Sequence, residues 1–226
     1  MSGTHEPPFG AIFDWDGVVI DSGRLHEQSW HRLAAEVGRT IVPDSFIRGF
    51  GMKSAQIIRE IHAWASEPKE IARLADRKEE LYRELIARSE IEPLPGVVEW
   101  LHRLDEAGVP CAVASSTPRR NIETVLERVG LEEAFEVIVS AEDVVHGKPD
   151  PEVFLKAAGR LRLAPTRCVV FEDAYVGIKA GHAAGMKVVA VTTTHSAEEL
   201  GAADIVVRRL DDLSVRNLAA IVRLSS

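Results

Sequence analysis

The chain has two cysteines among 226 residues, no long apolar run and no excess of positive charge. Two cysteines cannot make a zinc site alone. Cys111 and Cys168 each sit inside an apolar stretch, "VPCAVAS" and "RCVVFED", and read as buried core thiols, not as a disulfide. The net charge of −8 argues against a broad phosphate-backbone-binding face, which needs a basic surface. A local cationic pocket for a small anion is still allowed. No apolar run approaches the roughly 20 residues of a membrane span. The polar, proline-rich start "MSGTHEPPFG" carries no secretory signal pattern. The expectation is a cytoplasmic monomer in a reducing setting, with neither nucleic acid nor membrane as partner.

What is present is an alternation. Short apolar runs recur at 10–15, 109–115, 136–140, 168–172, 187–192 and 204–207, without clean period-two patterning. Such runs suit strands buried on both faces of a parallel sheet. Helical patterns fill 97–107, 119–129, 151–161, 175–184 and 212–223. Strand alternating with helix is the signature of a doubly wound α/β fold. From about 23 to 92 only amphipathic helical stretches appear, which reads as an all-helical insertion after the first strand. "PLPG" at 93–96 marks the return to the sheet.

Ligands of open α/β sheets bind at the carboxyl ends of the strands. Asp14 and Asp16 end the first strand, Ser115-Ser116-Thr117 the second, and Glu172-Asp173 the fourth. Lys148 follows the third on a "GKP" loop. Aspartates this close raise each other's pKa, and desolvation raises both further, so a cation must compensate. Several carboxylate oxygens around one point are natural ligands of Mg²⁺. With a metal and Lys148 neutralising a phosphate dianion, one carboxylate could attack phosphorus while the other serves as general acid and base. Composition alone does not rank Asp14 over Asp16 for the first role. Trp15, between them, should point to the opposite side.

"FDWDGVVIDS", "AVASST", "HGKPDPEVF" and "VVFEDAYVGIKAG" resemble, in order and spacing, the four motifs of the haloacid dehalogenase superfamily. Within it the chain is similar to the β-phosphoglucomutase-like and phosphoglycolate-phosphatase-like branch. The resemblance implies a Rossmann-like core of residues 1–19 and 96–226 with a helical cap at 20–95. It implies that Asp14 is nucleophile and metal ligand, and that Asp16 is general acid/base and offers its backbone carbonyl to Mg²⁺. Ser115 and the Ser116 amide would hold the phosphoryl group, Lys148 would bind it, and Asp173 with Glu172 beside it would complete the metal site. His26 matches a histidine at the start of the cap in sugar-phosphate members. Arg48, Lys78 and His26 are expected to face the carboxylates when the cap closes.

Each piece has an ordinary alternative. Ser115-Ser116-Thr117 could cap a helix, Lys148 could be a solvated loop charge, and Glu172-Asp173 could open a helix. Lys78 could be a solvated charge on a helix near Tyr82 and Glu84. Joint occurrence at one sheet edge outweighs these readings for all but Lys78, for which the solvated reading stands level with the functional one. His5, His31, His62, His102, His146, His182 and His195 have no metal-like spacing, and the four tryptophans read as packing. The function expected is a Mg²⁺-dependent phosphatase acting on a small phosphorylated metabolite. The alternatives are a phosphosugar mutase or a non-catalytic binding domain. Family mutases hold a second phosphate with a cap arginine, and the matching position here is Met52, with Lys53 adjacent. Sugar phosphates, phosphoglycolate and a riboflavin-pathway phosphate all stay open as substrates.

Overall fold

The computed structural model describes residues 9–224, so His5 lies outside the described residues. Six strands form one sheet: β1 Gly10–Phe13, β2 Cys111–Ala114, β3 Val137–Val139, β4 Cys168–Glu172, β5 Lys187–Val191 and β6 Ile205–Val207. Every pairing is parallel and the order is β3-β2-β1-β4-β5-β6. All six fall on the expected apolar runs, shortened where polar residues or proline flank them. β1 is the switch point, with the chain winding toward β2 and β3 on one side and β4 to β6 on the other. Ligands bind at such a point.

Side-chain alternation splits the core in two. Ala11 and Phe13 face one layer with Phe171, packed by Trp100 of α5 (Val97–Glu106), Ile122 of α6 (Arg119–Val129) and Leu218 of α9 (Val215–Leu224). Phe13 stacks on Phe171 with centroids 4.5 Å apart. Ile12 and Val170 face the other, under Phe154 of α7 (Glu152–Arg160) and Ile178 of α8 (Tyr175–Ala183). Both cysteines are buried and free, as expected.

The stretch between β1 and α5 is helical. It contains α1 (Gly23–Val37), α2 (Ser45–Gly49), α3 (Ser54–Gln56, continued by a π-turn Ile57–Ile61) and α4 (Pro68–Ile86). The apolar stripes of α1 and α4 meet in a separate core that includes Trp30, Leu33, Ile58, Trp64 and Leu74. Its two connections to the sheet run side by side. Ile20 bridges Pro93, and the Leu94 N–H donates to the Val19 carbonyl at 2.9 Å. Among the described residues no helix is long and apolar enough to cross a membrane.

Candidate active site

β1 releases the chain at Asp14, whose N–H still donates to the Phe171 carbonyl of β4 at 2.9 Å. That bond sets the Asp14 carboxylate beside the residues ending β4. Asp14, Glu172 and Asp173 bring carboxylate oxygens within 4.8 Å of one another, all buried. Lys148 reaches them from the loop before α7, 3.0 Å from Asp14 Oδ1 and 2.6 Å from Glu172 Oε1. Its ammonium is fully enclosed, so it is no solvated loop charge. Burial alone would lower the Lys148 pKa, but the Asp14 and Glu172 charges outweigh it and hold the group protonated.

One lysine does not balance three carboxylates. Burial, reinforced by the Glu172 and Asp16 charges, pushes Asp14 up to about 7 despite Lys148. Burial with Glu172 and Asp14 nearby pushes Asp173 up too. Asp173 Oδ2 accepts from Thr194, while its buried Oδ1 has no hydrogen-bond partner. The backbone beside it is open: Gly17 has φ +79°, and a Cβ there would overlap the Asp173 carboxylate. A hard-oxygen donor set short of positive charge, with an unpartnered oxygen, fits Mg²⁺ held by Asp14 and Asp173. Glu172 is less free. Its Oε1 takes Lys148, and its Oε2 accepts the N–H groups of Asp173 and Ala174 at 2.9 and 3.0 Å.

The Asp16 carboxylate lies outside the acidic cluster, in keeping with the backbone contact to the metal that the resemblance implies. Asp16 departs from expectation on one count: its pKa does not rise with that of Asp14. Burial pushes it up, but hydrogen bonds from His26, Ser22 and Thr117 favour the ionised form and hold the group below the usual carboxylate range. Oδ1 accepts from Ser22 and lies 3.1 Å from His26 Nε2, and Oδ2 accepts from Thr117. Trp15 is buried in the opposite direction against Phe135.

Ser115 and Thr117 are buried at the end of β2, where the Ser115 N–H is fixed by the Val139 carbonyl at 2.9 Å. The Ser116 hydroxyl is used elsewhere, donating to the Gly51 carbonyl of the insertion at 2.7 Å. Above these residues lies a cavity of about 310 Å³, with Asp14, Asp16 and Ser115 at its floor and the insertion as its wall. Lys78 and His26 reach it, stacked among Trp30 and Tyr82; His26 and Tyr82 lie 3.9 Å apart, nearly parallel. Lys78 is therefore buried, not solvated, and it is Arg77 that pairs with Glu84. Arg48 does not arrive. It is exposed on α2 while its neighbours Ile47 and Gly49 line the cavity. Thr194 and Ser22 were not singled out from the sequence, and Thr117 only as one of the hydroxyls ending the second strand. The signal for the first was the hydroxyl run "TTT" closing the fifth strand.

A model of the haloacid dehalogenase-like hydrolases matches residues 10–185. The chain belongs to that family. This hydrolase is 42% identical over 211 residues to the chloroplastic 5-amino-6-(5-phospho-D-ribitylamino)uracil phosphatase of Arabidopsis thaliana, covering 92% of this chain and 56% of the relative. It thus spans little more than half of that protein. It is 36% identical over 193 residues to the fructose-1-phosphate phosphatase YqaB of Escherichia coli, covering 83% and 98% of the two chains. Among solved structures, the β-phosphoglucomutase of Clostridium difficile superposes with a TM-score of 0.83 at 28% identity, over 95% of this chain and 97% of that one. The hydrolase is an enzyme of a family in which both phosphatases and mutases occur.

Proposed function

We propose that the chain is a Mg²⁺-dependent phosphatase that hydrolyses a small phosphorylated metabolite through an aspartyl-phosphate on Asp14. The observation that carries this is the buried cluster at the end of β1. There Asp14 is ion-paired to Lys148 beside Asp173, whose inner oxygen lacks a hydrogen-bond partner. Mg²⁺, when bound by Asp14 and Asp173, supplies positive charge that stabilises a phosphoryl group and its developing oxyanions. The remaining work falls to side chains. Ser115 and Lys148 hold the phosphoryl oxygens, and Glu172 keeps the Lys148 ammonium in place at 2.6 Å. An Asp14 oxygen forms a bond to phosphorus as the ester P–O bond breaks; Asp16, ionised in the unliganded site, takes a proton from the phosphate monoanion as the substrate is seated and passes it to the leaving alkoxide. Asp16 then accepts a proton from water as that water attacks phosphorus, which frees Asp14 and releases inorganic phosphate. Residues 20–95 serve as a cap over the core of 1–19 and 96–226, and exclude bulk water while the substrate is seated.

The cap supports a phosphatase over a mutase. A mutase must grip a second phosphate, best done by a bidentate arginine. Among the described residues no arginine lines the cavity, and Met52 contributes to its wall. Lys53 is committed elsewhere, donating to the carbonyls of Ala141 and Val144 at 2.9 and 2.7 Å.

The test is phosphate release from a panel of monoesters with Mg²⁺, set beside product analysis for phosphoryl transfer within the substrate. Inorganic phosphate should accumulate without isomerised product, and Asp14→Asn should lower kcat by more than roughly 10³-fold while staying folded. Mg²⁺ at about 100 times its Kd should stabilise the wild type by about 2.7 kcal/mol, a Tm rise of roughly 5–10 °C, and Asp173→Asn should lose most of it. An isomerised sugar phosphate as main product would establish the mutase instead. Equal Tm shifts in wild type and Asp173→Asn would remove Asp173 from the metal site.

A further inference from the structure

Glu79 is a buried carboxylate with no part in the chemistry above. It sits on α4 next to Lys78, and both of its oxygens are engaged. Oε1 accepts from Ser54 at 2.6 Å and from Lys78 at 3.0 Å. Oε2 accepts from the Asn121 side-chain amide at 2.7 Å. Asn121 belongs to α6 of the core, is fully buried, and is itself held by Arg83 of α4, whose guanidinium donates to its Oδ1 at 2.8 Å. Burial pushes the Glu79 carboxyl up, but the Lys78 charge and the hydrogen bonds from Ser54 and Lys78 pull it down again and keep it ionised.

The hydrogen bonds from Glu79 to Asp16 have a fixed direction. The Lys78 ammonium carries donors only. With its Nζ 2.6 Å from His26 Nδ1, that nitrogen must be the acceptor. His26 is then the neutral Nε2–H tautomer, and its N–H points at Asp16 Oδ1, 3.1 Å away. A core amide thus orients a carboxylate on the helical insertion, which orients a lysine, which fixes the tautomer of a histidine donating to Asp16. The sequence runs from core to insertion and back to core. It is complete only while α4 rests on α6.

We infer that Glu79 is a positioning residue, held by Asn121, which sets Lys78 and through it the His26 tautomer at Asp16. The inference rests on the phosphatase reading only for the consequence to rate. Without the Glu79 charge, Lys78 is a buried ammonium facing only the His26 imidazole and the Trp30 and Tyr82 rings, and the geometry around it relaxes. Asn121 does not line the cavity, so its substitution acts on rate through the two side chains it holds, and of these only Glu79 lines the cavity.

The experiment uses full-length ¹⁵N-labelled protein. Two-bond ¹H–¹⁵N histidine spectra without substrate should show His26 as a pure Nε2–H tautomer in the wild type. In Glu79→Gln and Asn121→Ala the spectra should show mixed tautomers. With Mg²⁺ and p-nitrophenyl phosphate, both variants should lose kcat by roughly 10²-fold, the scale of a misplaced catalytic group, while KM changes little. Asn121→Gln, which retains the amide, should recover part of it. Ser54→Ala, at the edge of the network, carries the test should Glu79→Gln fail to fold. An unchanged His26 signal in the folded variants overturns the inference, as does a kcat within twofold of wild type. A wild type inactive on every monoester would defeat the phosphatase reading alone, since the tautomer readout needs no turnover.

Discussion

Lys148 carries an unusual burden for one side chain, because Asp14, Glu172 and Asp173 are all buried close to it. Breaking a buried ion pair costs about 3–5 kcal/mol, since the abandoned charge is left uncompensated. Lys148→Met keeps the length and the apolar stem, so packing is largely preserved. In EDTA it should lower Tm by roughly 10 °C or more, whereas Asp14→Asn, which removes one of the crowded negative charges, should lower it far less. Calorimetry of the two variants side by side decides this; equal stabilities would show that Lys148 does not neutralise the cluster. At this scale the sequence was informative where charge and strand end coincide, as at Asp14 and Asp173, and at Lys148 on the loop that follows β3. It was uninformative about Asp16. Its direction of shift is set by partners 6, 10 and 101 positions away, Ser22, His26 and Thr117. Spacing along the chain does not reveal which hydroxyls converge on a carboxylate.

Elements were legible in proportion to their regularity. Each strand is a short run of residues apolar on both faces, and such a run has few other destinations in a chain that alternates with amphipathic helices. The 3₁₀ turn Ala141–Asp143 was not legible, because three residues carry no periodicity. It nonetheless fixes the way out of β3 toward Lys148. Asp143 is its anchor, accepting from the Ser140 N–H at 2.8 Å, from Arg119 at 2.8 Å and from Arg160 at 2.6 Å. Partial burial pushes its carboxyl up, but Arg160, Ser140 and Arg119 together hold it well below the usual range. A carboxyl depressed in the folded state stabilises above its unfolded pKa, about 3.9, and that contribution fades as pH falls toward the folded value. Asp143→Asn should therefore cost roughly 2 kcal/mol at pH 7 and progressively less below about pH 4. Urea titrations at pH 7 and pH 3.5 would show the gap closing; a gap independent of pH would mean that the Asp143 charge contributes nothing.

The molecule as a whole joins a sheet whose edge collects charge to a helical insertion with its own core. That much was legible from the absence of strand-like runs between the first and second strands. How the insertion sits on the core was not, since it depends on contacts such as Ser116 to Gly51, Lys53 to Ala141 and Asn121 to Glu79, each joining distant positions. The outcome reverses the expected order of two cations. Lys78 is buried at 2% exposure against His26, whereas Arg48, in its glycine-flanked stretch, faces solvent. Exposed side chains with no fixed partner change free energies by about 0.5 kcal/mol or less when truncated, close to twofold in a rate or affinity. Arg48→Ala should accordingly leave kcat/KM within about twofold for both a real metabolite and p-nitrophenyl phosphate. Lys78→Ala should lower kcat for both by roughly 10²-fold, because it releases His26 and with it the acid/base carboxylate. The comparison needs both substrates. A group that reads only the metabolite would affect that one selectively, through KM, while a group that sets Asp16 acts on the chemical step of each. A selective loss in Arg48→Ala, with p-nitrophenyl phosphate untouched, would show that Arg48 swings into the cavity when a metabolite binds, and that the solvent-facing position is not the one used in turnover.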